Sequence, residues 1–268
     1  MRLLVLGLGY TAAHFANAFV ANGGTVTAVR SRPHPCTLTL DAPELPAAIR
    51  AATHILSSVP PASSNEDPVL AALSTEIAAA PARWVGYLSS TGVYGDAAGA
   101  WVDEASPCNG RRSGRLAADQ AWQKIHSESR VFRLPGIYGP TRSTLDRLRN
   151  GPVARINLPG HVFSRIHVED ITGAMLASLD HGAPGIYNLS DTCPAPGEEV
   201  TAHAARLLGL PVPPLQSLEA ANLSPMGSAF YAECRRVANG KMTRDLRYKL
   251  RYPDYQSGLA ACLREMQP

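Results

Sequence analysis

The stretch LVLGLGYTAAHFA, residues 4–16, decides how the rest of the chain is read. A short apolar run over 2–6 ends in Gly7-Leu8-Gly9-Tyr10-Thr11-Ala12, a GxGxxA pattern, and helical composition follows over 11–21 until Asn22-Gly23-Gly24. A strand, a glycine turn and a helix in that order make the phosphate-binding start of a dinucleotide fold. In such a start Gly7 permits the tight turn, Gly9 lets backbone approach a pyrophosphate, and Ala12 keeps the helix close to the sheet. Tyr10 and Thr11 open the helix whose positive end faces the phosphates. The same residues resemble a signal peptide in their short basic start, but the glycines inside the apolar run and His14 and Asn17 after it favour the nucleotide reading.

The second strand, expected over 25–29, bears on the choice of cofactor. An NAD site places Asp or Glu near its end for the ribose hydroxyls, whereas an NADP site places basic residues there for the extra phosphate. No acidic residue precedes Asp41, and the strand runs into Ala28-Val29-Arg30-Ser31-Arg32. NADP(H) is therefore preferred over NAD(H), with Arg30 and Arg32 as phosphate ligands. The competing reading makes both arginines a solvated strand end. Asp41 is equally compatible with an adenine neighbour and an ordinary loop residue.

Outward from this start, strand-like segments at 37–40, 53–57, 84–89, 130–134 and 186–189 alternate with helical ones at 44–52, 66–80, 114–128 and 169–179. That alternation argues for an α/β fold, a doubly wound parallel Rossmann-type sheet covered on both faces. After Pro140 the rhythm changes: a short helix at 145–149, an extended piece at 154–158, a helix at 198–208, an irregular stretch at 225–249 and a terminal helix at 254–264. The expected division is a cofactor core of 1–140 and 166–190, with 141–165 and 191–268 forming a smaller substrate lobe.

Composition narrows the function classes. A net charge of +3 without a basic, aromatic-interleaved stripe speaks against a nucleic-acid partner. No window reaches transmembrane length, so no membrane association is expected. Eight scattered histidines form no HExxH or ligand triad, and no metal is expected. Five widely spaced cysteines without a CxxC pair suit the reducing cytoplasm. The expected partner is a small-molecule substrate, and a homodimer is compatible with the sequence.

Further motifs carry a family resemblance over nearly the whole chain. These are Leu88-Ser89-Ser90-Thr91-Gly92-Val93-Tyr94-Gly95, Arg133-Leu134-Pro135-Gly136-Ile137-Tyr138-Gly139-Pro140, Arg165-Ile166-His167-Val168-Glu169-Asp170-Ile171, Gly185-Ile186-Tyr187-Asn188-Leu189 and Arg236-Val237-Ala238-Asn239-Gly240-Lys241. In this order they resemble the extended short-chain dehydrogenase/reductases, the NAD-dependent epimerase/dehydratase-like proteins, and particularly their atypical bacterial branch. The resemblance implies a nicotinamide cofactor on the sheet and a smaller lobe over the substrate. It also implies hydride transfer, supported by a Ser or Thr, a Tyr, and a Lys four residues after that Tyr. Ser90 matches the hydroxyl position, where it would hold a substrate carbonyl or hydroxyl. Pro135 falls in the loop that borders nicotinamide in the family.

The tyrosine and lysine are where the chain departs. Against the family's helix start, Arg111 stands at the tyrosine position and Arg115 at the lysine position. Arginine donates rigid bidentate hydrogen bonds but shuttles protons poorly at neutral pH. Three accounts follow: Arg115 holds the nicotinamide ribose or a substrate anion, with Ser90 and Arg111 completing a degenerate catalytic set; the chain binds NADP without turnover, as a regulatory or redox-sensing module; or the helix has slid and the arginines face solvent. Tyr87 and Tyr94 are alternative proton donors, with Tyr94 read as structural. Asp170 is read as a helix-start residue and His167 as a packed group. Substrate choice is assigned to 97–113, 141–164 and 222–241, and Arg142 and Arg165 would suit an acidic or phosphorylated ligand.

Overall fold

The computed structural model describes residues 1–266. Twelve strands occur among them: β1 (Arg2–Leu6), β2 (Thr25–Val29), β3 (His54–Ser57), β4 (Trp84–Ser90), β5 (Trp101–Val102), β6 (Ser129–Leu134), β7 (Gly136–Tyr138), β8 (Arg155–Ile156), β9 (Arg165–His167), β10 (Gly185–Asn188), β11 (Leu215–Gln216) and β12 (Arg236–Val237). Six of them form one parallel sheet in the order β10-β6-β4-β3-β1-β2. β2 lies on one side of β1 and β3 on the other, so the winding reverses at β1. A crevice opens at the carboxyl ends of strands where the order reverses, and ligands of open α/β sheets bind there.

Helices cover both faces. They are α1 (Tyr10–Ala21), α2 (Leu45–Ala51), α3 (Pro68–Ala78), α4 (Ser113–Lys124), α5 (Thr144–Asn150), α6 (Val168–Ala177), α7 (Gly197–Leu207), α8 (Pro225–Phe230), α9 (Gly240–Asp245) and α10 (Tyr255–Met266). Successive side chains on β1 point to opposite faces. Leu3 and Val5 pack with Phe15 and Phe19 of α1 and with Ile171 and Met175 of α6. Leu4 and Leu6 pack with Ile49 of α2, Leu73 of α3 and Trp122 of α4. Two such cores explain why the central strands are apolar nearly throughout. A separate cluster joins Leu145, Val200, Ala204, Leu259 and Cys262 from α5, α7 and α10.

Two expectations fail locally. Residues 37–40 alternate like a strand but make only one isolated bridge, Val29 to Leu38. The chain turns at Cys36, whose φ is +62°, and only Leu38 exchanges backbone bonds with β2 and the residue after it, its N–H donating to the Ala28 carbonyl and its carbonyl accepting from the Arg30 N–H. The stretch 225–249 is not irregular: it contains α8, β12 and α9. Elements of two to six residues are too short to show a hydrophobic period.

Candidate functional site

The reversal at β1 is shaped by Gly7 and Gly9. Gly7 adopts φ +88°, and a Cβ there would sit 2.7 Å from Val59 Cγ2. Only glycine meets both conditions, and Ser58 Oγ fixes the turn by donating to the Gly7 carbonyl at 2.5 Å. Gly9 is the N-cap of α1 at φ −85°, makes no side-chain cap, and has nothing within 4 Å of its would-be Cβ. No N-cap side chain therefore accepts from the first-turn N–H groups of α1, among them those of Tyr10 and Thr11. A groove of about 580 Å³ lies over this point, lined by Gly7, Gly9, Arg30, Arg32, Ser58 and Val59 among others. Arg30 Nε is buried without a hydrogen-bond partner, whereas Arg32 is exposed. A backbone anion cradle beside an unpartnered guanidinium fits the diphosphate and extra phosphate of a dinucleotide.

Of the other fingerprint residues, Ala12 is fully buried and lets α1 lie against β1. The Tyr10 side chain turns away from the groove: its hydroxyl donates to the Pro140 carbonyl at 2.9 Å, and Arg142 stands 5.4 Å from its ring centre. Its backbone N–H remains at the helix start. Ser90, Arg111, Arg115 and Pro135 do not border this groove.

Ser90 ends β4. Its half-buried hydroxyl accepts from the Gly92 N–H at 3.1 Å and starts the tight turn Thr91–Tyr94. The strand end is anchored by a buried network that the sequence did not reveal. Ser89 donates to Asp119 Oδ2 at 2.6 Å, and Arg133 from β6 donates to both Asp119 oxygens at 3.1 and 2.7 Å. Gln123 adds a fourth bond to Asp119 at 2.7 Å, and Arg133 lies 4.8 Å from the Tyr94 ring centre. Burial opposes the Arg133 charge, but Asp119 overrides it and raises the guanidinium's pKa. Tyr94 donates to Asn188 at 2.7 Å, and burial raises its pKa to about 12, which fits the structural role read for it.

Tyr87 stacks flat on Trp122 at 5.1 Å, and burial raises its pKa although Arg115 stands beside its hydroxyl. Arg111 is paired with Glu233 at 2.7 Å and donates to the Ala229 carbonyl at 3.1 Å. Arg112 is exposed at the helix start. The helix-start role in the next βα unit belongs to His167, whose Nδ1 accepts from the Glu169 N–H at 3.2 Å and caps α6. Asp170, read as that cap, instead ties down the C-terminal segment by accepting from Tyr248, Arg251 N–H and Tyr252 N–H. Burial lowers the His167 pKa to about 4, leaving the imidazole neutral.

The segment 228–237 closes over the loop after Ser90. Cys234 N–H donates to Asp96 at 2.8 Å, Arg235 Nη1 donates to the Gly95 carbonyl at 2.5 Å, Arg236 donates to the Gly99 carbonyl, and β12 pairs with β5. Glu233 and Arg235 were not singled out from sequence, since ion pairs spanning more than 100 residues leave no local pattern. Among the described residues, no group of three His, Cys, Asp or Glu side chains could hold a metal, and no helix is long and apolar enough to cross a membrane.

No family model matches the chain. It is 41% identical to a functionally unknown conserved protein from Silicibacter pomeroyi, whose solved structure superposes with a TM-score of 0.86 over 98% of both chains. The human epimerase family protein SDR39U1, solved with NADPH, shares the fold at a TM-score of 0.78 and 18% identity, over 98% of this chain and 99% of that one. The chain shares the fold of epimerase/dehydratase-type proteins, the extended short-chain dehydrogenase/reductases among its structural neighbours. It is also 33% identical over 143 residues to a 3-diazoavenalumate denitrifying reductase from a Streptomyces species, a match covering 48% of this chain and 45% of that protein. The chain thus matches under half the length of this curated relative.

Proposed function

We propose that the chain is an NAD(P)(H)-dependent oxidoreductase or epimerase-like enzyme for a small molecule, with NADP(H) preferred. The observation that carries this reading is the unpartnered, buried Arg30 Nε beside the open Gly9 cradle. Gly7, Gly9 and the first-turn N–H groups of Tyr10 and Thr11 would hold the diphosphate, and Arg30 with exposed Arg32 would hold the 2′-phosphate. When bound, the cofactor supplies a hydride donor or acceptor at its nicotinamide ring. Ser90, half-exposed at the end of β4, would donate a hydrogen bond to the substrate oxygen and polarise it. Pro135 would border the nicotinamide end, and 141–165 with 191–268 would form the substrate lobe.

Arg115 would act as a fixed positive charge and not as a proton shuttle. A proton for the substrate oxygen would then come from water or from a hydroxyl. A second reading, a non-catalytic NADP-binding regulatory module, is favoured by one observation: the Arg111 guanidinium, at the proton-donor position, is already held by Glu233.

Isothermal titration with NADP+, NADPH, NAD+ and NADH tests the cofactor assignment; the phosphate-bearing forms should bind more tightly. A panel of aldehydes, ketones and unsaturated acids with NADPH then separates the readings. Turnover reduced by Ser90→Ala supports the enzyme, and tight NADPH binding with no turnover across a broad panel supports the module.

A further inference from the structure

Two guanidinium groups converge on one carboxylate in the segment that closes over the turn after Ser90. Arg111 Nε reaches Glu233 Oε1 at 2.7 Å and Arg235 Nη1 reaches Glu233 Oε2 at 2.8 Å, so each oxygen of a single carboxylate is held by a different arginine. Arg111 comes from the loop before α4, whereas Glu233 and Arg235 come from the segment that closes over the turn after Ser90. Arg235 Nη2 and Ser90 Oγ lie 4.0 and 3.3 Å from the point where a Cβ on Gly92 would sit. Among the described residues Arg235 Nη2 has no hydrogen-bond partner. Arg235 is largely covered, with 16% of its side chain exposed, while Arg111 is 57% exposed. Arg235 is thus covered and also bonded to the Gly95 carbonyl, whereas Arg111 is reached from solvent while bonded to Glu233 and the Ala229 carbonyl.

One carboxylate, Glu233, bonds two guanidinium groups, and Asp96, which accepts from the Cys234 N–H, adds a second negative charge near Arg235. Arg235 keeps one donor edge unused. Burial pushes the Glu233 carboxyl up, but its bonds to Arg111 and Arg235 more than offset this and hold it below its ordinary value, so it is ionised at neutral pH. Behind the segment, His161, Phe163 and Tyr231 form an aromatic cluster with ring centres 4.6 to 5.8 Å apart. This cluster gives the anion site an apolar flank.

We propose that Arg111 and Arg235 form the recognition site for a substrate carboxylate, and that Glu233 occupies this site as an internal stand-in that the substrate displaces. The inference rests on the reading that Ser90 holds the reacting oxygen, and it narrows the substrate class to carboxylic acids whose reducible group lies within reach of Ser90. It also gives Arg111 a role that requires no proton transfer. On substrate binding the Arg111–Glu233 tie is exchanged for an Arg–substrate tie, which loosens 228–233 while Arg235 stays anchored to Gly95.

Benzoate, with benzamide as its neutral isostere, tests this by calorimetric titration of the full chain, with and without saturating NADP+. Glu233→Gln should tighten benzoate binding by about tenfold or more and leave benzamide unchanged, since charge-assisted bonds to arginine exceed neutral ones. Arg235→Gln should remove the gain. Equal benzoate affinity in wild type and Glu233→Gln, or an equal gain for benzamide, would overturn the proposal. Hydrogen exchange on the wild-type chain needs no variant to fold: benzoate, but not benzamide, should speed exchange in 228–233, and protection unaffected by benzoate would also overturn it. Because NADP+ binding is read separately, failure of the cofactor assignment and failure of the carboxylate site give different outcomes.

Discussion

Replacing Asp119 by alanine removes the acceptor that joins β4, α4 and β6. Both partners of the Arg133–Asp119 pair are essentially without exposure, at 2% and 0%, and Asp119 accepts from Ser89 and Gln123 as well. Truncating one member of a buried pair leaves an uncompensated charge and costs about 3–5 kcal/mol. At roughly 2.1 cal/mol/K of unfolding entropy per residue, 268 residues convert that loss into a fall of about 5–9 °C in Tm. Scanning calorimetry at neutral pH measures it directly. The double variant Asp119→Leu with Arg133→Met should recover much of the loss, because paired apolar replacements of a buried ion pair are often close to neutral. A fall below about 2 °C for Asp119→Ala, or a double variant as unstable as the single one, would refute the account of how Ser89 and Ser90 are held.

Arg30→Ala should weaken NADPH binding by about 10- to 150-fold, the value of about 1.5–3 kcal/mol for a charged hydrogen bond, and leave NADH unchanged; equal losses for both cofactors would count against the phosphate role. Gly7→Ala combines the positive φ with a contact at 2.7 Å to Val59, so it should lower Tm by a few degrees and weaken NADPH together; an unchanged Tm would show that the turn relaxes freely. The pKa of buried His167 falls from 6.5 to about 4, so the unfolded chain binds more protons between these values. Stability from this group is complete above pH 6.5 and is lost as pH falls to about 4, by about 3 kcal/mol. His167→Asn keeps a capping side chain, and its Tm should fall less steeply than wild type across that window; parallel curves would sink the assignment.

The sheet was legible because its strands are apolar and branched and are separated by recognisable helices. Leu3 and Val5 against Leu4 and Leu6 supply both faces of β1 from five consecutive residues. The glycine fingerprint was legible for the same local reason: turn, cradle and helix start lie within six residues. Residues 37–40 misled because alternation alone does not supply a partner: only Leu38 bridges to β2. Around Ser90 the decisive contacts are nonlocal. Arg133 meets Asp119 across 14 residues and Arg111 meets Glu233 across 122, and nothing in either segment announces the other. Arg111 drew notice only as a departure from a family pattern, and its partner appeared only once the C-terminal segment was folded over it.

Gly9→Ser tests the cofactor cradle most directly. A serine Cβ meets nothing within 4 Å at this N-cap, and its hydroxyl would accept from the first-turn N–H groups of α1 that the diphosphate is assigned to use. Titrating NADPH fluorescence against wild type and Gly9→Ser, with Tm measured in parallel, should give saturable binding to wild type and an affinity at least tenfold lower in the variant at an equal or higher Tm, about 1.4 kcal/mol or more. Equal NADPH affinity in the two proteins, or no binding to wild type, would contradict a dinucleotide seated on α1.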